Sequence, residues 1–148
     1  MNSNWQDFLS AAGAHIENQQ LVHFGQPQEE ILAAQNGSIL TDLSNLSVIQ
    51  FAGEDSENFL QGQLSCDVKQ ATLEQARLGS YCTPKGRMLA SFTLLRAQDE
   101  FVMLLSADIA AAIQKRLTMF VLRSKVTIAN LGDNLVLVGL AGPACREA

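Results

Sequence analysis

The segment from Ala76 to Arg96 (ARLGSYCTPKGRMLASFTLLR) constrains the fold most, because it predicts two β-strands folded back on each other. The turn falls at Thr83-Pro84-Lys85-Gly86, where proline presets φ at the second position and glycine relieves the fourth. In the strand that follows, one face carries only apolar residues, at Met88, Ala90, Phe92 and Leu94. This alternation predicts a strand that is covered on one side.

Other strands and helices are predicted around this hairpin. Glu100 to Leu105 predicts a third strand of the same sheet, so that a three-stranded meander results. Helical spacing of apolar residues follows Asn4, Asp55 and Ser106, each of which is a candidate N-cap. The apolar stripe runs from Trp5 to Ile16 in the first of these helices and from Ile109 to Phe120 in the last. We therefore predict an α+β fold with a mainly antiparallel sheet and two or three packed helices.

Length and composition set the class of protein. The 148 residues are 47% hydrophobic and 17% charged, which is typical of a single globular domain over residues 1–148. The formal charge of −5 argues against a nucleic-acid binder that relies on overall positive potential. The sequence contains no apolar run of membrane-spanning length, and its N-terminus has no basic region before a hydrophobic core. We expect a cytoplasmic protein that does not bind membranes.

The cysteines and histidines predict neither a disulfide framework nor a metal site. Cys66, Cys82 and Cys145 are odd in number and contain no CxxC, and the two histidines are His15 and His23. Their intervals match neither zinc nor iron–sulfur ligation. We interpret the thiols as small buried hydrophobic groups.

Two polar clusters are the candidate binding residues. Gln61-Gly62-Gln63 places two amides around a glycine near a helix end, with Asp67 shortly after it. Such amides either line a pocket that binds the edge of a heterocycle or cap the helix and satisfy loop carbonyls. Lys85 and Arg87 likewise either bind an anion at the hairpin turn or only make that turn soluble. The residues alone leave both choices open.

The familiar catalytic motifs are missing from the sequence. It contains no GxSxG, HExxH, P-loop or GxGxxG segment, and no grouping of serine, histidine and acid predicts a triad. The carboxylates Asp42, Asp67 and Asp99 are isolated in sequence, and a loop aspartate is commonly a cap or turn residue. The residue patterns by themselves therefore predict an α+β domain with a polar, partly basic loop cluster.

Several segments taken together resemble the YgfZ family, folate-binding proteins related to the aminomethyltransferase (T protein) of the glycine cleavage system. The matching segments are Gly53 to Val68, Cys82 to Met88 with Arg96, Ser124 to Ile128, and Val138 to Gly142. The resemblance implies that this chain is the N-terminal part of a three-lobed, ring-like molecule with folate in its central hole. It also implies a role in the tetrahydrofolate-dependent assembly or maintenance of iron–sulfur clusters in client enzymes, including those that methylthiolate tRNA.

The resemblance assigns site residues one by one. Gln61, Gly62, Gln63 and Asp67 match the family's GQ-x-x-x-D segment, Lys85 and Gly86 its KG turn, and Ser124-Lys125-Val126 its SKV segment. We expect the amides and Asp67 to meet the pterin edge of tetrahydrofolate and the cations to meet its anionic glutamate tail. The expected cofactor-binding residues are Gln61, Gln63, Asp67, Lys85, Gly86, Arg87 and Lys125.

This sequence departs from the related aminomethyltransferases at an important pair. Those enzymes carry two acidic residues on the strand after the glycine turn, where this chain has Ala90 and Ser91. A methyl group and a hydroxyl cannot supply a carboxylate's charge or basicity, so we expect no catalytic residue here. The family's KGC-type cysteine signature lies in its C-terminal part, and we expect it beyond Ala148, in a protein of which this chain is a truncated part.

Two other functions stay open at this stage. The first is a true aminomethyltransferase of glycine cleavage. The second is a non-catalytic module for RNA or protein interaction, with tRNA as the candidate nucleic acid. Its basic residues would be Lys85, Arg87, Arg96, Arg123 and Lys125.

Overall fold

The structure is a computed structural model that describes residues 2–132 and 134–146. The chain divides into two compact units, one comprising the described residues among 1–45 and 133–148, and the other running from Leu46 to Gly132. In chain order the elements are α1 (Ser3–Ala11), β1 (His15–Glu17), β2 (Gln20–His23), α2 (Pro27–Asn36), β3 (Ile39–Asp42), β4 (Leu46–Ala52), α3 (Ser56–Gln63), β5 (Arg77–Cys82), β6 (Met88–Ala97), β7 (Glu100–Ser106), α4 (Ala107–Thr118), β8 (Thr127–Asn130) and β9 (Val138–Ala141).

The first unit is built from α1, α2 and two small antiparallel sheets, β1 with β2 and β3 with β9. The N-cap of α1 is Asn2, whose side chain accepts a hydrogen bond from the Trp5 N–H at 3.3 Å, so the prediction of Asn4 was wrong. The helix also stops before Ile16, which lies in β1. The Trp5 indole donates to the Asp42 carboxylate at 2.8 Å, which joins α1 to the end of β3.

The second unit contains a five-stranded sheet in the order β5-β6-β7-β4-β8, in which all neighbouring strands are antiparallel. The predicted hairpin forms β5 and β6, and the predicted third strand forms β7 beside β6. The turn between β5 and β6 closes by a hydrogen bond from the Gly86 N–H to the Thr83 carbonyl at 2.9 Å. Gly86 has φ +76, the left-handed conformation that glycine adopts without strain. The α+β prediction with a mainly antiparallel sheet is confirmed.

One face of this sheet holds the core. Ala90, Phe92 and Leu94 of β6 are buried there as predicted, whereas Met88 is 61% exposed at the start of the strand. The helices α3 and α4 cover the same face, and the apolar residues they bury are Phe59, Leu60, Ala110, Ile113 and Leu117. Phe120 was predicted to continue the stripe of α4, but the helix ends at Thr118 and Phe120 is 45% exposed.

The other face of the five-stranded sheet carries the alternate residues of each strand, and we call it the outer face. Along β6 these are Leu89, Ser91, Thr93 and Leu95. On β7, Val102 and Leu104 lie on the same side, because Leu104 is the register partner of Thr93.

Within the described part of the chain, none of the helices is long and apolar enough to span a membrane.

Candidate functional site

The end of α3 holds the first group of predicted site residues. Phe59 and Leu60 anchor the helix in the core, while Gln61 and Gly62 lie on its exposed side. The Gln61 carbonyl oxygen accepts a hydrogen bond from the Val68 N–H at 2.8 Å. This amide therefore spans the helix end and holds the short 3-10 turn of Val68–Gln70. The oxygen of Gln61 has a structural partner, whereas Gln63, which is half-buried, forms no side-chain hydrogen bond among the described residues.

Asp67 acts as a cap in this structure. Its carboxylate accepts hydrogen bonds from the Lys69 N–H at 3.3 Å and from the Gln70 side-chain amide at 3.0 Å. It is the N-cap of the 3-10 turn and its side chain is exposed. These contacts leave part of its acceptor capacity for a ligand, because a carboxylate offers about four lone-pair positions.

The segment after α3 is fastened to β5. Leu64 forms an antiparallel bridge with Tyr81, and the Ser65 N–H donates to the Ser80 carbonyl at 3.0 Å. The Ser80 N–H in turn donates to the Ser65 hydroxyl at 2.8 Å, and the two hydroxyls lie 2.9 Å apart. The helix end that carries the two glutamines therefore lies beside the hairpin strand that leads to the Lys85 turn.

The antiparallel direction of this pairing separates Asp67 from that turn. The chain runs from Leu64 beside Tyr81 to Cys66, whose sulfur packs against Gly79. Asp67 is the next residue after Cys66, and because of the antiparallel direction it lies farther from Lys85. Lys85 is six residues after Gly79 on the hairpin. The strand itself extends about 10 Å from Gly79 to its end at Cys82, at about 3.3 Å per residue, and Lys85 lies beyond that end. The structure brings Gln63 toward the β5 end of the hairpin and does not bring Asp67 to Lys85.

The hairpin turn presents two cations to solvent. The Thr83 side chain accepts from the Arg87 N–H at 3.1 Å, and the Thr83 N–H donates to the Arg87 carbonyl at 2.8 Å. These hydrogen bonds close the turn within the hairpin. Lys85 and Arg87 are exposed, and neither forms an ion pair among the described residues. Their charges remain available to an anionic ligand.

Ala90 and Ser91, which the resemblance aligns with the acidic pair of the related aminomethyltransferases, point to opposite faces of the sheet. Ala90 is 4% exposed and lies opposite Tyr81 in the core, whereas Ser91 is exposed on the outer face opposite Ser80. Sequence reasoning missed the resulting polar strip, in which Ser65, Ser80 and Ser91 follow one another across the sheet. Cys82 extends it, with its sulfur 3.5 Å from the Ser80 hydroxyl. The alternation within β5 and β6 was the signal that could have revealed this strip.

Lys125 lies at the far end of α3 from the glutamines. Its ammonium group pairs with Glu54, and its backbone N–H donates a hydrogen bond to the Asp55 carboxylate at 2.7 Å. Asp55 occupies the N-cap position of α3 but makes no side-chain cap there. Because eight helical residues extend about 12 Å, Lys125 and Gln63 lie at opposite ends of the helix. The described contacts therefore do not join Lys125 to the other predicted residues.

The pKa of the Cys66 thiol is displaced from its ordinary value. Partial burial raises the pKa of its thiol, an effect that its own backbone N–H and Arg77 oppose and that Asp67 reinforces. The thiol therefore stays protonated at neutral pH and is a weak nucleophile. Within the described residues, no group of three or more histidine, cysteine or acidic side chains is placed to hold a metal ion.

Comparison with known proteins shows consistent similarities. The family model described as the GCVT N-terminal domain matches residues 7–148. The tRNA-modifying protein YgfZ of Enterobacter sp. (strain 638) is 34% identical over 122 residues, which cover 82% of this chain and 37% of that protein. The protein of the same name from Escherichia fergusonii is 33% identical over the same lengths. The chain thus spans somewhat more than a third of the curated relatives it matches.

A solved structure resembles the fold of almost the whole chain. The glycine cleavage system aminomethyltransferase T from Bartonella henselae superposes with a TM-score of 0.82 at 21% sequence identity. The match covers 97% of this chain and 41% of the aminomethyltransferase. At this level of identity, the similarity concerns the fold.

Proposed function

This chain belongs to the family of GCVT N-terminal domains, and on that premise we propose that it is part of a YgfZ-like protein that binds tetrahydrofolate or a derivative. The bound folate serves an accessory role in the assembly or repair of iron–sulfur clusters, and through client enzymes it affects tRNA modification. The relatives named as tRNA-modifying proteins support this choice. We assign the protein to the cytoplasm, where such clients and reduced folates meet.

The observation that carries the proposal is the position of two unpaired cations on the hairpin that carries the polar strip of the outer face. Folate combines a flat pterin with an anionic glutamate tail, so it needs hydrogen-bonding groups at one end and positive charge at the other. Ser80 and Ser91 provide hydroxyls on the outer face, and Lys85 and Arg87 provide the charge. Gly86 is open on the side where a Cβ would project, so a ligand can approach the backbone there.

The remaining predicted residues support the site in different ways. Gln63 lies one residue before the bridge to Tyr81 and is the amide that we assign to the pterin edge. Gln61 positions the helix end through Val68, and Asp67 orders the 3-10 turn, with free acceptor positions for a ligand. Lys125 is assigned only a long-range electrostatic contribution, since its ammonium group already has a partner in Glu54.

The arrangement favours binding over aminomethyl transfer. A catalytic carboxylate pair would have to act on the folate-bound carbon, and the corresponding positions hold a buried methyl group and one exposed hydroxyl. The RNA-binding alternative is also less favoured, because its five basic residues do not form one free patch. Arg96 pairs with Glu57 at 3.0 Å and Lys125 pairs with Glu54.

Isothermal titration tests the proposal. The complete product of the gene that encodes this chain is titrated with tetrahydrofolate, and the Lys85→Ala variant is titrated in parallel. We expect binding by the unaltered protein and an affinity about fivefold lower in the variant, the effect of one solvent-exposed charge. A complete, well-folded product that does not bind reduced folate would refute the proposal.

A further inference from the structure

The helix α2 ends at an Asn-Gly pair. Asn36 is the last residue of the helix and is exposed, and Gly37 is its C-cap. No other asparagine of the sequence is followed by a glycine. The backbone nitrogen of a following residue can attack the side-chain carbonyl of asparagine, and glycine hinders that attack least because it has no side chain. Asn36 is therefore the asparagine whose neighbour protects its amide least.

The folded helix end holds both reacting groups in hydrogen bonds. The Gly37 N–H donates to the Ala33 carbonyl at 2.8 Å, and the Asn36 side-chain amide donates to the Leu32 carbonyl at 2.9 Å. While these bonds last, the Gly37 nitrogen is engaged with Ala33 and is not free to attack the Asn36 side chain. The reaction therefore requires the last turn of α2 to open.

The last turn of α2 has little packing to keep it closed. None of the ten residues of this helix, all of which the structure describes, is buried, and its apolar residues Ile31 and Leu32 are 58% and 57% exposed. The last turn also has no basic residue that would stabilise the end of the helix dipole. A helix of this length is marginal in water without packing of an apolar face. The turn should therefore open by local unfolding, without unfolding of the whole protein.

We propose that Asn36 and Gly37 form a deamidation site that reacts when the last turn of α2 opens. The Gly37 backbone nitrogen attacks the Asn36 Cγ, and the bond from Cγ to Nδ2 breaks. The leaving amide takes the proton of the Gly37 nitrogen and departs as ammonia, so that a five-membered cyclic imide remains. Water then opens this ring at one of its two carbonyl carbons. Opening at Cγ gives aspartate, whereas opening at the main-chain carbonyl gives isoaspartate, in which the main chain runs through Cβ and Cγ.

The isoaspartate product adds a methylene group to the main chain just before a close backbone contact. A Cβ built on Gly142 would lie 2.4 Å from the Gly37 carbonyl oxygen and 2.5 Å from the Ser38 Cα. Ile39, the next residue, is the first of β3 and pairs with Ala141 of β9. Both products also place a negative charge at the C-terminal end of α2, where the helix dipole disfavours it. We therefore expect the modification to weaken both the end of α2 and the pairing of β3 with β9.

Peptide mapping by mass spectrometry tests the proposal. The complete gene product is incubated at pH 8 and digested at intervals, and a protein isoaspartate methyltransferase with labelled S-adenosylmethionine measures the isoaspartate share. We expect aspartate and isoaspartate to accumulate at position 36 faster than at any other asparagine of this chain. Gly37→Ala should remove most of the conversion, because the added methyl group hinders the attack. Gly37 has φ −129, which alanine adopts without strain, so this variant should fold.

Two matched variants show whether local opening controls the rate. Ala34→Gly lies at an exposed position inside α2 and should speed the conversion about fivefold, because glycine weakens a helix. Ala111→Gly makes the same change at an exposed position inside α4 and should leave the rate unchanged. Equal rates in these two variants would overturn the proposal. So would the absence of both products at position 36 in the protein while a synthetic peptide of residues 30–42 converts under the same conditions.

Discussion

The Ser65 hydroxyl lies 2.9 Å from the Ser80 hydroxyl and joins the segment after α3 to the first strand of the hairpin. Together with the hydrogen bond from the Ser80 N–H to the Ser65 side chain, this contact fixes the helix end at the edge of the outer face. Ser91 lies opposite Ser80 on the neighbouring strand. The helix end, the polar strip and the Lys85 turn therefore belong to one continuous structure, although they come from three separate stretches of sequence.

We predict that Gly62→Ala stabilises the protein. Gly62 lies inside α3, and a Cβ built there meets nothing within 4 Å. Alanine should raise the free energy of unfolding by about 0.5–1 kcal/mol, because it lowers the backbone entropy of the unfolded chain. Urea denaturation measures this change. If the same variant binds tetrahydrofolate more weakly, Gly62 is needed for the ligand to come close to the helix. If its affinity is unchanged, Gly62 has no role in binding.

Gly53→Ala should have the opposite effect. A Cβ at this position would lie 2.1 Å from the Lys125 carbonyl oxygen, and Gly53 has φ +120. The backbone of the loop before α3 and that before β8 would have to separate. We expect a loss of about 2–3 kcal/mol in the free energy of unfolding. The matched control is Gly86→Ala, where φ is +76 but the space is open, and there the loss should be about 1 kcal/mol. Equal losses in the two variants would contradict the close backbone contact.

Arg87→Glu should weaken the binding of folates in proportion to their glutamate tails. If Lys85 and Arg87 hold the tail, charge reversal at one of them should lower the affinity for triglutamyl tetrahydrofolate more than that for the monoglutamate. We expect the affinity for triglutamyl tetrahydrofolate to fall about tenfold at low ionic strength. Lys115→Glu on α4 is the control, because it makes the same change in net charge on another exposed surface. Equal losses for both folates would assign Arg87 no contact with the tail.

The Cys66 thiol should make the protein less stable at alkaline pH. Its pKa is raised in the folded state from the ordinary value of 9.0, chiefly because partial burial disfavours the thiolate. Between the ordinary and the raised pKa the unfolded chain has lost its proton while the folded chain keeps it, so stability falls as pH rises above about 9. The free energy of unfolding, measured from pH 7 to 10, should show this decline. In the Cys66→Ala variant the decline should be smaller. A decline of the same size in the variant would contradict this assignment.

The hairpin and its neighbouring strand could be predicted from sequence because their signals are local. The Pro84 and Gly86 positions define the turn, and strict alternation defines which residues of β6 face the core. The predicted face was correct for Ala90, Phe92 and Leu94 and failed at Met88, where the strand begins next to solvent. Periodicity identifies a face of a strand, but it does not show where the covering helices stop.

The arrangement of the candidate site was less accessible, because it depends on pairings between distant residues. No local pattern shows that the segment after Gln63 runs antiparallel to β5 and so carries Asp67 away from the Lys85 turn. The role of Lys125 likewise follows from its contacts with Glu54 and Asp55, some 70 residues earlier in the chain. The N-cap of α1 was misassigned by two residues because Asn2 and Asn4 are equivalent in sequence terms.

Hydrogen exchange of the complete gene product, with and without tetrahydrofolate, tests the central claim most directly. We predict slower amide exchange on ligand addition in residues 63–66 and 80–91, which form the helix end, the polar strip and the hairpin turn. The loops at residues 53–55 and 120–124, near the start of α3, should exchange at unchanged rates. Protection confined to those loops, with none at the hairpin turn, would contradict the account.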